Sequence, residues 1–195
     1  MAGADRVVTL DLHAPQIQGF FRIPVDDLYA LPLLCRAIQQ KELDDLVVVS
    51  PDAGFAKQAR KYATFLGVSL AIANKERKGH DERAELLEII GDVRDKTALI
   101  VDDFTISAGT LADAAHKLVE RGAVAVYAAV SHGVFSQGSM ERIDSSPLEC
   151  LLVTDSIETQ PVEISAKIEW VSVAPLLGEA IRRIHEHESI SVLFE

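Results

Sequence analysis

The sequence predicts a doubly wound α/β domain, a parallel sheet with helices on both faces. Three observations predict it. Short apolar runs rich in strand-forming residues alternate with segments of helical spacing, the pattern of right-handed strand–helix–strand units. Two of the runs, Val47-Val48-Val49 and Ala98-Leu99-Ile100-Val101, are apolar without alternation, as strands buried on both faces are. A chain of 195 residues at 48% hydrophobic can also bury a full core without disulfides or a structural metal.

The first predicted strand, Arg6–Leu12, begins directly after Met1-Ala2-Gly3-Ala4-Asp5, which suggests a chain that starts inside a larger architecture. A helix is expected over Asp27–Gln40, where Leu31, Leu34, Cys35 and Ile38 recur at helical spacing. Strand Leu46–Ser50 leads into a helix over Gly54–Leu66, and strand Ser69–Ala73 follows. No element is assigned between residues 74 and 96, which open on a polar loop. Then come strand Thr97–Val101, helix Ala108–Arg121, strand Ala123–Val130, helix Gln137–Ser145, strands Leu148–Val153 and Ile168–Val173, and helix Pro175–His187. Ser189–Phe194 reads as a short edge strand or a docking tail, and Phe20, Phe21 and Phe135 read as core. Without a repeat, linker or low-complexity stretch, residues 1–195 are expected to form one domain.

Lys+Arg 19 against Asp+Glu 30 gives a net charge of -11, which disfavours nonspecific binding to nucleic acid or to anionic membrane. It leaves local phosphate binding open, because a backbone loop and a cation suffice for that. Cys35 and Cys150 make no disulfide framework and read as buried free thiols, suited to a reducing cytoplasm. No apolar run approaches the roughly 20 residues of a membrane span, and the N-terminus lacks a basic-then-apolar signal pattern.

In an open parallel sheet, ligands bind beyond the carboxyl ends of the strands. After Thr97–Val101 the chain reads Asp102-Asp103-Phe104-Thr105-Ile106-Ser107-Ala108-Gly109-Thr110, then helix. Such a turn can aim backbone N–H groups and the Ser107 and Thr110 hydroxyls at a phosphate, with Gly109 permitting close approach. Charge forbids Asp102 and Asp103 that role; they suit sugar hydroxyls or the water around a magnesium ion. The alternative is an acidic turn with a hydroxyl N-cap. After Leu46–Ser50 stands Asp52 before Gly54, either a hard-cation ligand or a helix cap.

His13 ends the first strand, and its interest lies in sharing that sheet edge with Asp52 and Asp102. After Ser69–Ala73 a polar loop, Asn74 to Glu82 with Gly79 and His80, offers Lys75 and Arg77 to neutralise transition-state charge; the alternative is a solvated loop. His132 ends another strand at the same edge, whereas His116, His185 and His187 fall in helical segments and read as structural or surface groups. There is no Walker loop, no Rossmann glycine fingerprint and no thiolate-rich zinc pattern.

Taken together, these strand-end segments resemble the ribose-phosphate pyrophosphokinases, the phosphoribosyl pyrophosphate synthetase family. The matching residues are Asp11-Leu12-His13-Ala14 with Gln16-Ile17-Gln18-Gly19-Phe20-Phe21 and Ile23-Pro24-Val25-Asp26, then Ser50-Pro51-Asp52-Ala53-Gly54. Lys75-Glu76-Arg77, Val101-Asp102-Asp103, Ala108-Gly109-Thr110 and the ending Ser189-Ile190-Ser191-Val192-Leu193-Phe194 match as well. The resemblance covers the whole chain but only the C-terminal part of the family, so the chain is expected to lack the family's N-terminal domain.

It implies the type I phosphoribosyltransferase fold, and transfer of pyrophosphate from ATP to the 1-hydroxyl of ribose 5-phosphate with magnesium. It implies metal-site roles for His13 and Asp52, catalysis by Lys75 with Arg77 binding phosphate, ribose and metal-water contacts for Asp102 and Asp103, and a 5-phosphate cradle of Ser107, Ala108, Gly109 and Thr110. Ile106 and Ser107 depart from the family turn, which usually carries an acid followed by threonine, and Phe55 stands where a second glycine is usual. The expected partners are ATP and ribose 5-phosphate, with a homo-oligomer or a separate N-terminal-domain partner, in the cytoplasm. Two other readings stay open: a noncatalytic sugar-phosphate-binding or regulatory module, and a phosphoribosyltransferase acting on a base. The Asp-Leu-His-Ala segment and the Lys-x-Arg loop argue against the last.

Overall fold

The structure, a computed structural model, describes residues 3–77, 85–158 and 163–194. Two sheets form. Strands β1 (Val7–Leu10) and β2 (Val25–Leu28) pair in parallel as a ribbon of their own. The main sheet contains β3 (Leu46–Ser50), β4 (Ser69–Arg77), β5 (Glu85–Ile90), β6 (Thr97–Thr105), β7 (Ala125–Gly133), β8 (Leu148–Thr154) and β9 (Ile168–Val171). Its order is β5-β4-β3-β6-β7-β8-β9, parallel throughout except for antiparallel β5.

The unbroken apolar runs become the central strands because both faces are covered. On β3, Val48 faces one core while Val47 and Val49 face the other. On β6, Leu99 and Val101 alternate with Ala98 and Ile100 in the same way. Helices α1 (Leu31–Gln39) and α2 (Ala56–Leu66) close the first face with Leu34, Cys35, Ile38, Ala59 and Tyr62. Helices α3 (Gly109–Glu120) and α4 (Ser139–Ser145) close the second with Leu111, Ala114, Leu118 and Ile143. Each large aliphatic side chain so buried contributes about 1.5–3 kcal/mol. Alanines 114 and 115 let α3 lie close on the sheet, and Gly67 ends α2 in the left-handed conformation at φ 71°. A last helix, α5 (Ala174–His185), buries only Ala180.

Several expectations are corrected. The helix expected from Asp27 starts at Leu31, because Val25–Leu28 pairs with β1 in the register Val7↔Val25 to Leu10↔Leu28. Pro15–Phe20 is a 3-10 turn. Asn74 to Arg77 are strand, not loop: β4 runs on past its last pairing with β3 (Ser50↔Ile72) because β5 pairs with it from Ile90 to Glu85. Lys78, Gly79, His80, Asp81 and Glu82 lie outside the described residues. Ser191–Phe194 is a 3-10 turn, not a strand, and His187 follows α5 in a left-handed conformation at φ 57°. Phe135 is buried as expected, but Phe20 is 87% exposed in a turn that buries none of its residues, and Phe21 just after it is 43% exposed. Cys35 is buried, its thiol pushed up to about 12 by that burial; Cys150 is only half-buried, beside Glu169. Among the described residues no helix is long and apolar enough to cross a membrane.

Candidate functional site

The chain leaves β3 toward β4 on one side and returns to β6 on the other. At such a switch point the loops following adjacent strands diverge and open a crevice at the carboxyl edge. Asp52 follows β3, while Asp102 and Asp103 lie in the last part of β6, on the two sides of that point. A cleft of about 1350 Å³ lies there, lined by His13, Asp52, Asp102, Asp103 and the turn Ser107, Ala108, Gly109 and Thr110.

The acids are crowded. His13 Nδ1 lies 2.7 Å from Asp103 Oδ2, an acceptor, so the ring donates from Nδ1; the ring also packs nearly perpendicular to the Phe104 ring, with centroids 4.9 Å apart. This hydrogen bond to Asp103 raises the His13 pKa, with help from the charges of Asp103, Asp102 and Asp52. The Asp103 N–H donates to Asp102 Oδ1 at 2.9 Å. Burial and then the Asp103 charge push the Asp102 carboxyl up to about 7. Asp52 Oδ1 accepts the Phe55 N–H at 2.9 Å, so this carboxylate holds the turn into α2 as well as facing the cleft. Gly54 leaves it room: a Cβ there would stand 3.1 Å from Asp52 Oδ1.

The Ser107–Thr110 turn is built for backbone access. Ala108 sits in the left-handed conformation at φ 58°, and the Gly109 N–H donates to Ser107 Oγ at 3.3 Å. Three contacts brace it from behind: Val134 N–H to Thr105 O, Ser136 N–H to Ile106 O, and Arg142 Nη1 to Ser107 O at 3.0 Å. Ile106, half exposed, lines the cleft beside it. Phe55 has φ −85°, which every L-residue adopts, so the backbone there does not demand glycine.

Lys75 and Arg77 occupy the β4–β5 arm beyond the end of β3, in register with Leu87 and Glu85. The cleft also takes in residues the sequence reading left out: Tyr29, and Lys57, Arg60 and Lys61 of α2, with Lys61 Nζ 4.8 Å from the Tyr29 ring centre. In the sequence Asp11 stands out only as part of a motif. It stands at φ 43°, and its Oδ2 accepts Ser131 Oγ–H at 2.5 Å and Ala30 N–H at 2.9 Å, while burial raises its pKa. Asp27 Oδ1 accepts Thr9 Oγ1–H at 2.8 Å and Leu12 N–H at 3.2 Å. Helical spacing of the basic α2 residues could have revealed them; nothing local in sequence reveals the partners of Asp11.

A family model described as the phosphoribosyl synthetase-associated domain matches residues 81–195. The chain belongs to that family. It is 50% identical over 194 residues to a ribose-phosphate pyrophosphokinase of Oceanobacillus iheyensis, covering 100% of this chain and 61% of that protein. The chain thus spans about 61% of the length of the curated relatives it matches. Among solved structures it is similar to the phosphoribosylpyrophosphate synthetase of Mycobacterium smegmatis, with TM-score 0.87 and 38% identity over 95% of this chain and 60% of that one. The orotate phosphoribosyltransferase of Aeropyrum pernix shares the fold alone, with TM-score 0.53 and 21% identity over 77% of this chain and 75% of that one. The chain carries the doubly wound α/β architecture that its sequence pattern predicted and the phosphoribosyltransferase-type fold that the family resemblance implied.

Proposed function

We propose that the chain forms the sugar-phosphate half of a ribose-phosphate pyrophosphokinase, which transfers pyrophosphate from ATP to the 1-hydroxyl of ribose 5-phosphate. The observation that carries this reading is the single cleft shared by His13, Asp52, the Asp102–Asp103 pair and the Ser107–Thr110 turn. In the reaction the ribose O1 attacks the β-phosphorus, the bond from that phosphorus to the α–β bridging oxygen breaks, and AMP leaves with that oxygen. Positioning and charge neutralisation dominate such a transfer.

The turn's N–H groups and the Ser107 and Thr110 hydroxyls would hold the 5-phosphate, and Asp102 and Asp103 the ribose hydroxyls. Lys75 and Arg77 would neutralise charge on the transferring group. Among the described residues no three His, Cys, Asp or Glu side chains form a ready cation cage. Magnesium takes one or two protein carboxylates plus waters and substrate phosphates, and Asp52, Asp102 and Asp103 line one cleft with the phosphate-binding turn. His13 and Asp52 would hold the ion, and Asp102, whose pKa is raised by burial and then by the Asp103 charge, is the group such a cation would relieve. Bound there, the ion would withdraw charge from the phosphate oxygens.

Exposed Ile17 and Phe20 on the 3-10 turn, with Phe21 just after it, support assembly, with further copies or with the portion of its relatives that this chain does not span. Ile106, an apolar side chain in the cleft, favours a second reading, a binding module that takes sugar phosphate without turnover. AMP release from ATP, dependent on ribose 5-phosphate, decides between them. Turnover supports the synthetase; tight ribose 5-phosphate binding without AMP supports the module. Absence of ribose 5-phosphate binding overturns both.

A further inference from the structure

The ribbon that carries His13 is not laddered into the main sheet. Consecutive residues at the end of β7 hold it there. His132 Nε2 lies 3.0 Å from Leu10 O and 3.3 Å from Asp11 O, and Nδ1 lies 2.8 Å from Ser156 Oγ. Carbonyl oxygens only accept, so Nε2 carries the proton and Nδ1 is the acceptor. Ser156 must then donate to the ring. Its hydroxyl also lies 3.2 Å from Ser131 O, but that carbonyl already accepts Thr154 Oγ1–H at 2.5 Å, and the 2.8 Å contact to Nδ1 is the shorter of the two. Next to His132, the buried Ser131 hydroxyl donates to Asp11 Oδ2. The β7–β8 register shifts between Val130 and His132, an irregularity of the kind that re-aims side chains at the edge of a site.

Asp11 is the residue in the left-handed conformation that turns the chain out of β1, and His13 follows two positions later. We propose that His132, its Nε2–H fixed by the Leu10 and Asp11 carbonyls and its Nδ1 held by Ser156, is a positioning residue that clamps those carbonyls and thereby presents His13 to the cleft. This rests on the reading of His13 as a group that faces the divalent ion. A ring nitrogen donor is needed at one point only, the Nε2 position. Glutamine can place an amide N–H near that point, whereas leucine fills the volume without donating.

The test compares His132→Gln and His132→Leu, with His13→Ala as the reference for losing the presented ring. Two readouts are taken on cooperatively folded protein: nuclear Overhauser contacts between the His13 and Phe104 rings, and Mn²⁺ affinity from the free-ion resonance signal. In His132→Leu the ring contacts should vanish and Mn²⁺ binding should weaken at least ten-fold, in the range typical of groups that orient a metal ligand. His132→Gln should retain the contacts and bind Mn²⁺ within about three-fold of the parent. Persistence of the ring contacts in His132→Leu overturns the proposal, even if its melting temperature falls. Loss of the contacts in His132→Leu, with Mn²⁺ affinity unchanged in His13→Ala, sustains the positioning role and overturns instead the metal reading of His13.

Discussion

Replacing Asp11 tests whether the segment carrying His13 is held in place by side chains. In Asp11→Ala the carboxylate that accepts Ser131 Oγ–H at 2.5 Å and Ala30 N–H at 2.9 Å is gone. Hydrogen bonds to an ionised acceptor are each worth about 1.5–3 kcal/mol. Alanine at φ 43° adds about 1 kcal/mol, because the left-handed region suits aspartate and asparagine better. Against this stands the relief of a carboxylate whose pKa is raised by burial. The net loss should be about 3 kcal/mol, or roughly 6–12 °C in melting temperature at about 2–4 °C per kcal/mol for a chain of this size.

Asp11→Asn keeps shape, one acceptor and tolerance of φ 43°, so it should cost about 1 kcal/mol. The sign with pH follows from the raised pKa. Stability tied to the protonated acid is fully present below the ordinary value of 3.8 and is lost as the pH climbs through the folded value. Asparagine mimics the protonated acid, so its deficit against the parent should shrink from pH 4 to pH 8. Calorimetric melts across that range measure both effects. Equal stability of Asp11→Ala and the parent would refute the reasoning, as would an Asp11→Asn deficit that grows with pH.

Three further outcomes are expected. A Cβ at Gly133 would come within 2.5 Å of the Phe135 ring and 2.8 Å of Val153 Cγ2, so Gly133→Ala should destabilise by about 2 kcal/mol in thermal melts; an unchanged melting temperature would contradict that packing. Asp102, pushed up to about 7 by burial and the neighbouring Asp103, makes the metal-free protein lose stability as the pH rises from 3.8 through about 7, and Asp102→Asn should flatten that decline in denaturant titrations. Lys75→Ala should lower turnover by about 10²-fold or more with melting temperature nearly unchanged, as a charge used in the transition state rather than in folding requires; a retained rate would remove its assigned role.

The legible parts of the fold are those that burial alone dictates. Val47-Val48-Val49 and Ala98 to Val101 could only be strands covered on both faces, and the spacing of Leu31, Leu34, Cys35 and Ile38 could only be a helix lying on them. The parts that escaped depend on a partner far along the chain. Val25-Asp26-Asp27-Leu28 is short and half polar, and is a strand because β1 pairs with it. Asn74 to Arg77 carry no strand signal and are extended because β5 pairs with them; Glu85-Leu-Leu-Glu-Ile-Ile itself spaces its apolar residues ambiguously between helix and strand.

The same holds at the site. Asp52, Asp102, Asp103 and the Ser107–Thr110 turn could be found because ligand sites follow strand ends. His132 could be placed at the same sheet edge, but its partners and those of Asp11 could not be read, since Asp11 meets Ser131, and His132 meets Leu10, across some 120 residues of sequence. Phe20 and Phe21 were misread as core because hydrophobicity by itself does not say whether a residue is buried in its own chain or stands at its surface.

On the proposed function, the turn after β6 grips a phosphorylated pentose beside a divalent ion. Calorimetric titration of ribose 5-phosphate with magnesium, into the parent and into Gly109→Val, tests it most directly, because a Cβ at Gly109 already stands 3.3 Å from Ser107 Oγ. The parent should bind one equivalent, and the variant, cooperatively folded, at least about ten-fold more weakly. No binding by the parent, or equal affinity in both proteins, would contradict it.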